Sequence, residues 1–425
     1  MPFNEAAVAA TELERVDDTL PVLFERDDVF YSTVEKRPVQ IISSRDMRVP
    51  MEMKPGGRFG HYDPNGGTLG RGDGPTYDKA VINTMHFKYA VEYTKQAEWS
   101  TDNKRKAVID AVKELTKNAM KEFRRNCDAL CMTSGNGVVG TISANSTAAG
   151  QDTYTLNATG DGYQTRLIRD GLYYSVYNST LTTRRVIVGT NVINGEAKAI
   201  LVDPAAKQIK IDGATTGITN GDKLVVSGLS ATPPSSLQGV QYHHDDASTG
   251  TWLGLDRAVY PMIRANRVTA SASLALPFAR LALNKIGDRV GLNTGVKAVA
   301  WMHPCQKQAY EELAQAVSII NKSAKEEGID LYFGDNMQLA GCPIKTSYSW
   351  DKTRIDFIVG EVWGRAEYHP VGFYKVEGRR LFEVRAGDGG VATALIFYIV
   401  GSFNTFVNNP AKCSYISGLV IPAGY

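Results

Sequence analysis

Seven apolar residues, Val108, Val112, Leu115, Ala119, Phe123, Cys127 and Leu130, recur at steps of four, three, four, four, four and three. That spacing keeps one stripe facing the same way over the whole run, which is the signature of a single amphipathic helix. Ser100 or Thr101 can cap its start, with Asp102 in the first turn, and the glycines of TSGNG stop it. A helix of about 30 residues is a rod of roughly 45 Å, longer than most helices of globular domains. A chain holding such a rod must wrap other elements along it. Lys104, Lys113, Lys117, Lys121 and Arg124 lie off the stripe.

Before the helix stand two strand-like runs, PVQIISSRDMRVPMEM and AVINTMHFKYAVEYTKQ, enclosing a loop from Lys54 to Asp78. Eight of those 25 residues are glycine (Gly56, Gly57, Gly60, Gly66, Gly67, Gly70, Gly72 and Gly74), interrupted by Pro55, Pro64 and Pro75. Glycine admits positive backbone angles and loses the most entropy on ordering, so a long β-hairpin with a soft tip is expected. Residues 1 to 40 alternate acids with apolar residues and hold no period. They carry too little apolar surface for a core of their own and read as an arm that lies against something else.

After the helix, from about Gly140 to Ser236, short runs such as TYTLN, YYSVY, RRVIVGT, AKAILVD, KQIKIDG and DKLVVSG alternate with Gly, Asn and Asp turns. Strands at that spacing predict a small antiparallel barrel or sandwich. Helical patterns then resume in LALPFARLALNKIGDRVG and PCQKQAYEELAQAVSIINKSAKEE, and the last hundred residues return to strands and turns.

With 425 residues the chain has room for several compact units. Lys and Arg total 47 against 45 Asp and Glu, so no global basic excess marks a dedicated nucleic-acid binder. No apolar run approaches the roughly 20 residues that span a bilayer, and the acidic N-terminus lacks the basic start of a signal peptide. A cytosol-like compartment without membrane contact is the expectation. The five cysteines, with only Cys127 and Cys131 close in sequence, are expected as reduced, partly buried thiols.

Motifs for enzyme chemistry are missing: no GxxxxGK[ST], HExxH or GxSxG occurs, and the glycines at 387, 389 and 390 suit a hairpin turn. His243-His244-Asp245-Asp246 is the one polar cluster that invites a metal, but neighbours on an extended chain point in opposite directions. A solvated loop leading into TWLGLDR is the reading taken, with no metal, no cofactor and no catalytic residue assigned. Trp252, Trp301, Trp350 and Trp363 read as core or interface filling.

The order of these parts, together with TWLGLDRAVYPMIRANRV before SLALPFARLALNKI and EVWGRAEYHPVGFYKVEGRRLFEV before ALIFYIVGSFNTFVNNPAKCSYISGL, resembles the major capsid proteins of tailed bacteriophages. The resemblance spans nearly the whole chain through diffuse patterns. It implies an α+β Hong Kong 97-like shell fold: an N-terminal arm at 1–40, an extended loop at 41–98, and a spine helix of the peripheral domain within 99–139. An inserted β-barrel at 140–236, an axial domain at 237–345 and the rest of the peripheral domain at 346–425 complete it. The implied role is a non-enzymatic subunit that assembles as hexamers and pentamers into an icosahedral virion shell, put together in the host cytoplasm. Packaged double-stranded DNA, bound non-specifically, and portal, scaffolding or decoration proteins would be its partners. The short arm implies that any scaffold used is a separate protein.

On that reading the hairpin tip, Gly66, Gly67, Gly70, Arg71, Gly72, Asp73 and Gly74, contacts a neighbouring subunit, its glycines allowing a change of pose and its two charges giving rim pairs. Lys104, Lys113, Lys117, Lys121 and Arg124 are candidates for facing DNA. Two alternatives stay open at this point: an encapsulin-like nanocompartment shell, and a surface adhesin bearing Arg71-Gly72-Asp73.

Overall fold

The computed structural model describes residues 28–43, 45–61, 70–94, 105–157, 165–291, 297–321, 338–385 and 391–422, with the side chains of 105–114, 314–321, 385 and 391–393 outside the description. The chain divides into two compact units, one made of 1–32, 84–128 and 367–403, the other of 33–83, 129–366 and 404–425.

In chain order the second unit has a two-residue strand at Gln40–Ile41, then β1 (Asp46–Lys54), which pairs with it at Arg48 and Met47, and β2 (Thr76–Asn83). β1 and β2 form an antiparallel pair whose register runs from Asp46 opposite Asn83 to Lys54 opposite Thr76. Met47, Ala80 and Ile82 are buried at its base, and Val81 N donates to Leu253 O at 2.8 Å. Beyond Arg48, no other strand among the described residues pairs with the ribbon. The second strand-like run of the sequence is two strands, because the chain breaks at Thr84 and β3 (Met85–Thr94) joins a different sheet.

That sheet belongs to the first unit, with α1 (Arg105–Cys131) following β3 in sequence. Ala119, Phe123 and Cys127 are buried there, as the stripe requires. Farther along come the barrel strands β4 (Val138–Ala148), β5 (Gln151–Leu156), β6 (Tyr173–Tyr177), β7 (Ala197–Asp203), β8 (Gln208–Ile211) and β9 (Lys223–Val226). They close in the order β8-β5-β4-β9-β6-β7, so no edge strand remains. Ile142, Tyr154, Leu156, Tyr174, Val176, Ala199, Ile209 and Leu224 fill its interior from alternate positions.

A short helix α2 (Val240–His243) leads to β10 (Asn266–Thr269), α3 (Leu276–Val290), β11 (Ala298–Met302), α4 (Pro304–Asn321), β12 (Gln338–Leu339), β13 (Cys342–Thr346) and β14 (Ile355–Val359). Next are β15 (Trp363–Phe373), β16 (Phe382–Arg385), β17 (Val391–Val407) and β18 (Ser414–Ser417). The second unit's main sheet has the order β10-β18-β14-β11-β13-β12. Its central strand β14, IDFIV, is buried along its whole length, which explains why it reads as an apolar run and not as an alternation. In the first unit β17 pairs antiparallel with β3, Ala394 opposite Thr94 through Phe403 opposite Met85, and also with β16. Phe397, Ile399 and Phe403 alternate onto the buried face there, where Tyr31 and Phe87 pack on Phe403 at 5.6 and 5.0 Å.

Candidate assembly surfaces and a buried charge network

The ribbon narrows where its legs meet beyond the paired strands. Gly57 N donates to Asp73 O at 2.6 Å, and a Cβ on Gly56 would lie 2.3 Å from Pro75 N. A Cβ on Gly72 would stand 3.3 Å from Arg58 N, so small residues are needed on both legs for the backbones to approach this closely. Phe59, just past the crossing, is 103% exposed, and Tyr77 is exposed as well. Gly70, Arg71, Gly72, Asp73 and Gly74 are all exposed; Gly66 and Gly67 lie outside the described residues.

Of the cations expected on α1, Lys117 and Lys121 are exposed, and Arg124 is exposed but ion-paired with Asp28 at 2.7 Å. Lys104 and the Lys113 side chain lie outside the description. The helix also carries charges on its buried side that the apolar stripe hid: Glu122, Arg125 and Asp128. Asp128 Oδ1 accepts from both Phe30 N (2.8 Å) and Tyr31 N (2.7 Å), fastening the described end of the arm within the first unit. Burial raises the Asp128 carboxyl to about 6 against the pull of those two donors.

The His243–Asp246 cluster departs from the solvated loop expected of it. His243 and His244 are buried on and just after α2. His243 Nδ1 accepts from Trp252 Nε1 at 3.2 Å, and its Nε2 is 3.2 Å from Thr405 O, which fixes the proton on Nε2. Burial and the charge of His244 lower its pKa to about 3, so it is neutral.

His244 Nδ1 lies 2.8 Å from Asp356 Oδ1 in the middle of β14. Arg354 engages the same carboxylate, its Nε at 2.9 Å from Oδ2 and its Nη2 at 2.8 Å from Oδ1, and Trp350 Nε1 donates to Oδ2 at 3.1 Å. Burial by itself would lower His244, but the neighbouring Cys413 sulfur and the Asp356 carboxylate outweigh it and raise the imidazole to about 9. Asp356 is held below its ordinary range because Arg354 and His244 overcome the burial that would raise it. Around this centre Arg354 stacks over the Tyr415 ring at 4.0 Å, Tyr415 donates to Asp246 at 2.7 Å, and Arg257 pairs with Asp245.

Cys413, His244 and Asp356 stand in the order of a nucleophile, a base and its orienting acid, yet all three are buried, and His244 Nε2 has no regular hydrogen-bond partner. Enclosed in this way, these groups form a buried charge network. Among the described residues no group of three or more His, Cys, Asp or Glu could hold a metal ion, and the five cysteines are buried thiols. No helix of the described residues is long and apolar enough to cross a membrane. Sequence reasoning missed the network because His244 stands 112 positions from Asp356; the local signal is the charged Arg354 and Asp356 at the start of the apolar run IDFIV.

No family model matches the chain, and no curated protein matches it in sequence. Its structure is similar to the capsid asymmetric unit of cyanophage A-1(L), at 11% identity over 98% of each chain with a TM-score of 0.56. It is also similar to the capsid of an empty GTA particle (12% identity, 98% of this chain and 100% of that one, TM-score 0.47). The capsid of Myoviridae phage XM1 is a further neighbour (10% identity, 96% and 98%, TM-score 0.45). The likeness to the cyanophage chain shows the fold: a mixed α+β capsid-protein fold, as the resemblance in sequence implied.

Proposed function

We propose that the chain is the major capsid protein of a tailed phage, many copies of which close into an icosahedral shell around double-stranded DNA. The observation that carries this reading is the agreement of fold with a cyanophage capsid chain over 98% of both chains. The physical chemistry supports it. A ribbon with no interior, ending in an exposed Phe59, gains nothing for an isolated subunit and much for one that repeats the same contact around a shell. The internal charge network is enclosed, which suits a structural and not a catalytic subunit.

On this reading residues 1–40 are the arm, 41–98 the extended loop, and 99–139 contain the spine helix. Residues 140–236 form an inserted barrel domain, 237–345 the axial domain, and 346–425 complete the peripheral domain. The tip from Gly66 to Gly74 reaches a neighbouring copy. DNA is met by the cationic face of α1, of which Arg124 also pairs with Asp28. Portal, scaffolding and decoration proteins are further partners, and the assembled product is the virion head.

The test is expression of the chain alone and with candidate scaffolds, followed by size-exclusion chromatography and cryo-electron microscopy. Closed shells, or rings of five and six, are expected. A stable monomer at high concentration, unchanged by any scaffold, would overturn the proposal. Nuclease-protected DNA inside shells from infected cells separates a phage head from a cargo-holding nanocompartment.

A further inference from the structure

Between β15 and β16, in the first unit, the chain makes an excursion whose surface the other described residues leave exposed. Residues 374–381 read YKVEGRRL. Val376 N donates to Arg379 O at 3.1 Å and Arg379 N returns to Val376 O at 2.9 Å. Between them Glu377 (φ 50°) and Gly378 (φ 81°) form a two-residue turn of the type that matches strand twist. So short a closure holds the flanking side chains in fixed positions.

What those positions present is apolar and cationic. Tyr374 is 47% exposed, Val376 43% and Leu381 44%, with Tyr368 exposed on the strand before them. Tyr374, Phe382 and Tyr398 line up ring to ring at 5.9 and 6.0 Å. Lys375, Arg379 and Arg380 set three cations against the single acid Glu377 in this excursion. Arg380 lies over the Phe373 ring at 5.8 Å, and among the described residues no ion pair engages these three cations.

The complementary chemistry is in the same chain. Residues 1–27 hold seven acids (Glu5, Glu12, Glu14, Asp17, Asp18, Glu25 and Asp27) against Arg15 and Arg26, and include the apolar run LPVLF at 20–24. This segment joins the described chain at Asp28, next to the residues fastened to Asp128 in the unit that also contains the excursion. Twenty-seven residues at about 3.3 Å each can extend to roughly 90 Å, so reach is not limiting. Tethering at Asp28 makes the encounter intramolecular, which favours the chain's own segment over a second copy in dilute solution.

We propose that residues 1–27 dock on the 374–381 excursion of their own chain. Leu20, Val22, Leu23 and Phe24 pack against Tyr374, Val376 and Leu381, while the acids of the segment pair with Lys375, Arg379 and Arg380. The contact covers an apolar patch on the unassembled subunit and goes beyond the shell reading, since it concerns a single chain.

Hydrogen–deuterium exchange of the dilute full-length chain tests it, compared with the R379E/R380E variant and with an arm variant, L20S/F24S. Slowed exchange in both 20–24 and 374–381 is expected, independent of dilution. Each variant should speed both segments together, and added salt should act in the same direction as R379E/R380E. Unprotected exchange of either segment in the parent chain overturns the proposal, as does protection that disappears on dilution, which marks a second copy, or that appears only with added DNA. Because L20S/F24S leaves the excursion unaltered, a folding defect in the charge variant cannot imitate the result.

Discussion

In the six-stranded sheet, Asp356 sits within a strand buried along its length and holds Arg354, His244 and Trp350. In the ribbon, the described residues beyond Pro50 and Lys79 pair across the two legs and are mostly exposed, with Asp78 also hydrogen-bonded to Tyr260. Both regions belong to one compact unit, and both depend on contacts between segments far apart in sequence or across open legs. The first spends charge inside, where every ion must be answered at once, because an unpaired buried charge costs several kcal/mol. The second leaves apolar and glycine-rich chain outside, Phe59 and Tyr77 exposed among the described residues. One region decides whether the subunit folds; the other can matter only when subunits meet.

The sharpest way to break the comparison is Asp356→Ala. It would strand the Arg354 guanidinium and the His244 imidazolium in the interior, at a cost of about 3–5 kcal/mol. Urea unfolding of the isolated subunit should show a midpoint drop of that size or failure to fold. A change under about 1 kcal/mol would mean that water reaches the network. Next in size is Ile209→Ala in the barrel interior, where deletion of a fully buried side chain should cost about 2–5 kcal/mol by the same measurement.

A pH series separates the two kinds of buried histidine. His244 is raised to about 9 in the fold, so its stabilisation is complete below the unfolded value near 6.5 and is lost as pH climbs through about 9. His243 and His303 are lowered to about 3, His303 by burial and then by the nearby Lys352 and Arg166 charges. Their contribution is present above about 6.5 and fades as pH falls below that. Unfolding midpoints should therefore decline on both sides of neutrality. His244→Gln should flatten the alkaline limb while leaving the acid limb in place; an alkaline limb unchanged in that variant would place its origin elsewhere.

The ribbon and α1 were legible because each is encoded locally. Glycines and prolines crowd one 25-residue stretch, and Ala119, Phe123 and Cys127 keep the helical step that buries them. Runs such as YYSVY and AKAILVD fall on strands β6 and β7 for the same reason, whereas only Ile187 and Val188 of RRVIVGT form a strand. The network was not legible: His244 looks polar and loop-like until Asp356, 112 positions on, closes over it. Asp128 was hidden likewise, because its partners, the amides of Phe30 and Tyr31, have no side-chain signature at all. Periodicity reports which face is covered; it does not report which buried charge answers another.

Smaller in stability but direct in meaning is Gly56→Ala. The added Cβ, 2.3 Å from Pro75 N, must push the two legs apart. Since this crossing lies beyond the anchored base at Met47, Ala80 and Ile82, the isolated subunit should lose no more than about 1 kcal/mol. Assembly, read as the fraction of subunits in closed shells by sedimentation, should fall. A large loss of subunit stability would show that the crossing supports the fold and not the reach of the ribbon.

The smallest effect on the subunit is expected from Phe59→Ser. At 103% exposure the ring has no partner to lose among the described residues, so subunit stability should stay within about 0.5 kcal/mol of the parent. In a shell the same ring repeats once per copy, and with each burial against a neighbour contributing about 1.5–3 kcal/mol, its removal should raise the subunit concentration needed for assembly about tenfold or more. Measuring both quantities on one preparation sets the comparison directly. Unchanged unfolding with impaired assembly makes the ribbon an organ of association. Unchanged assembly would confine that role to the backbone of the ribbon, whose open edges would then have to do the joining through strand pairing alone.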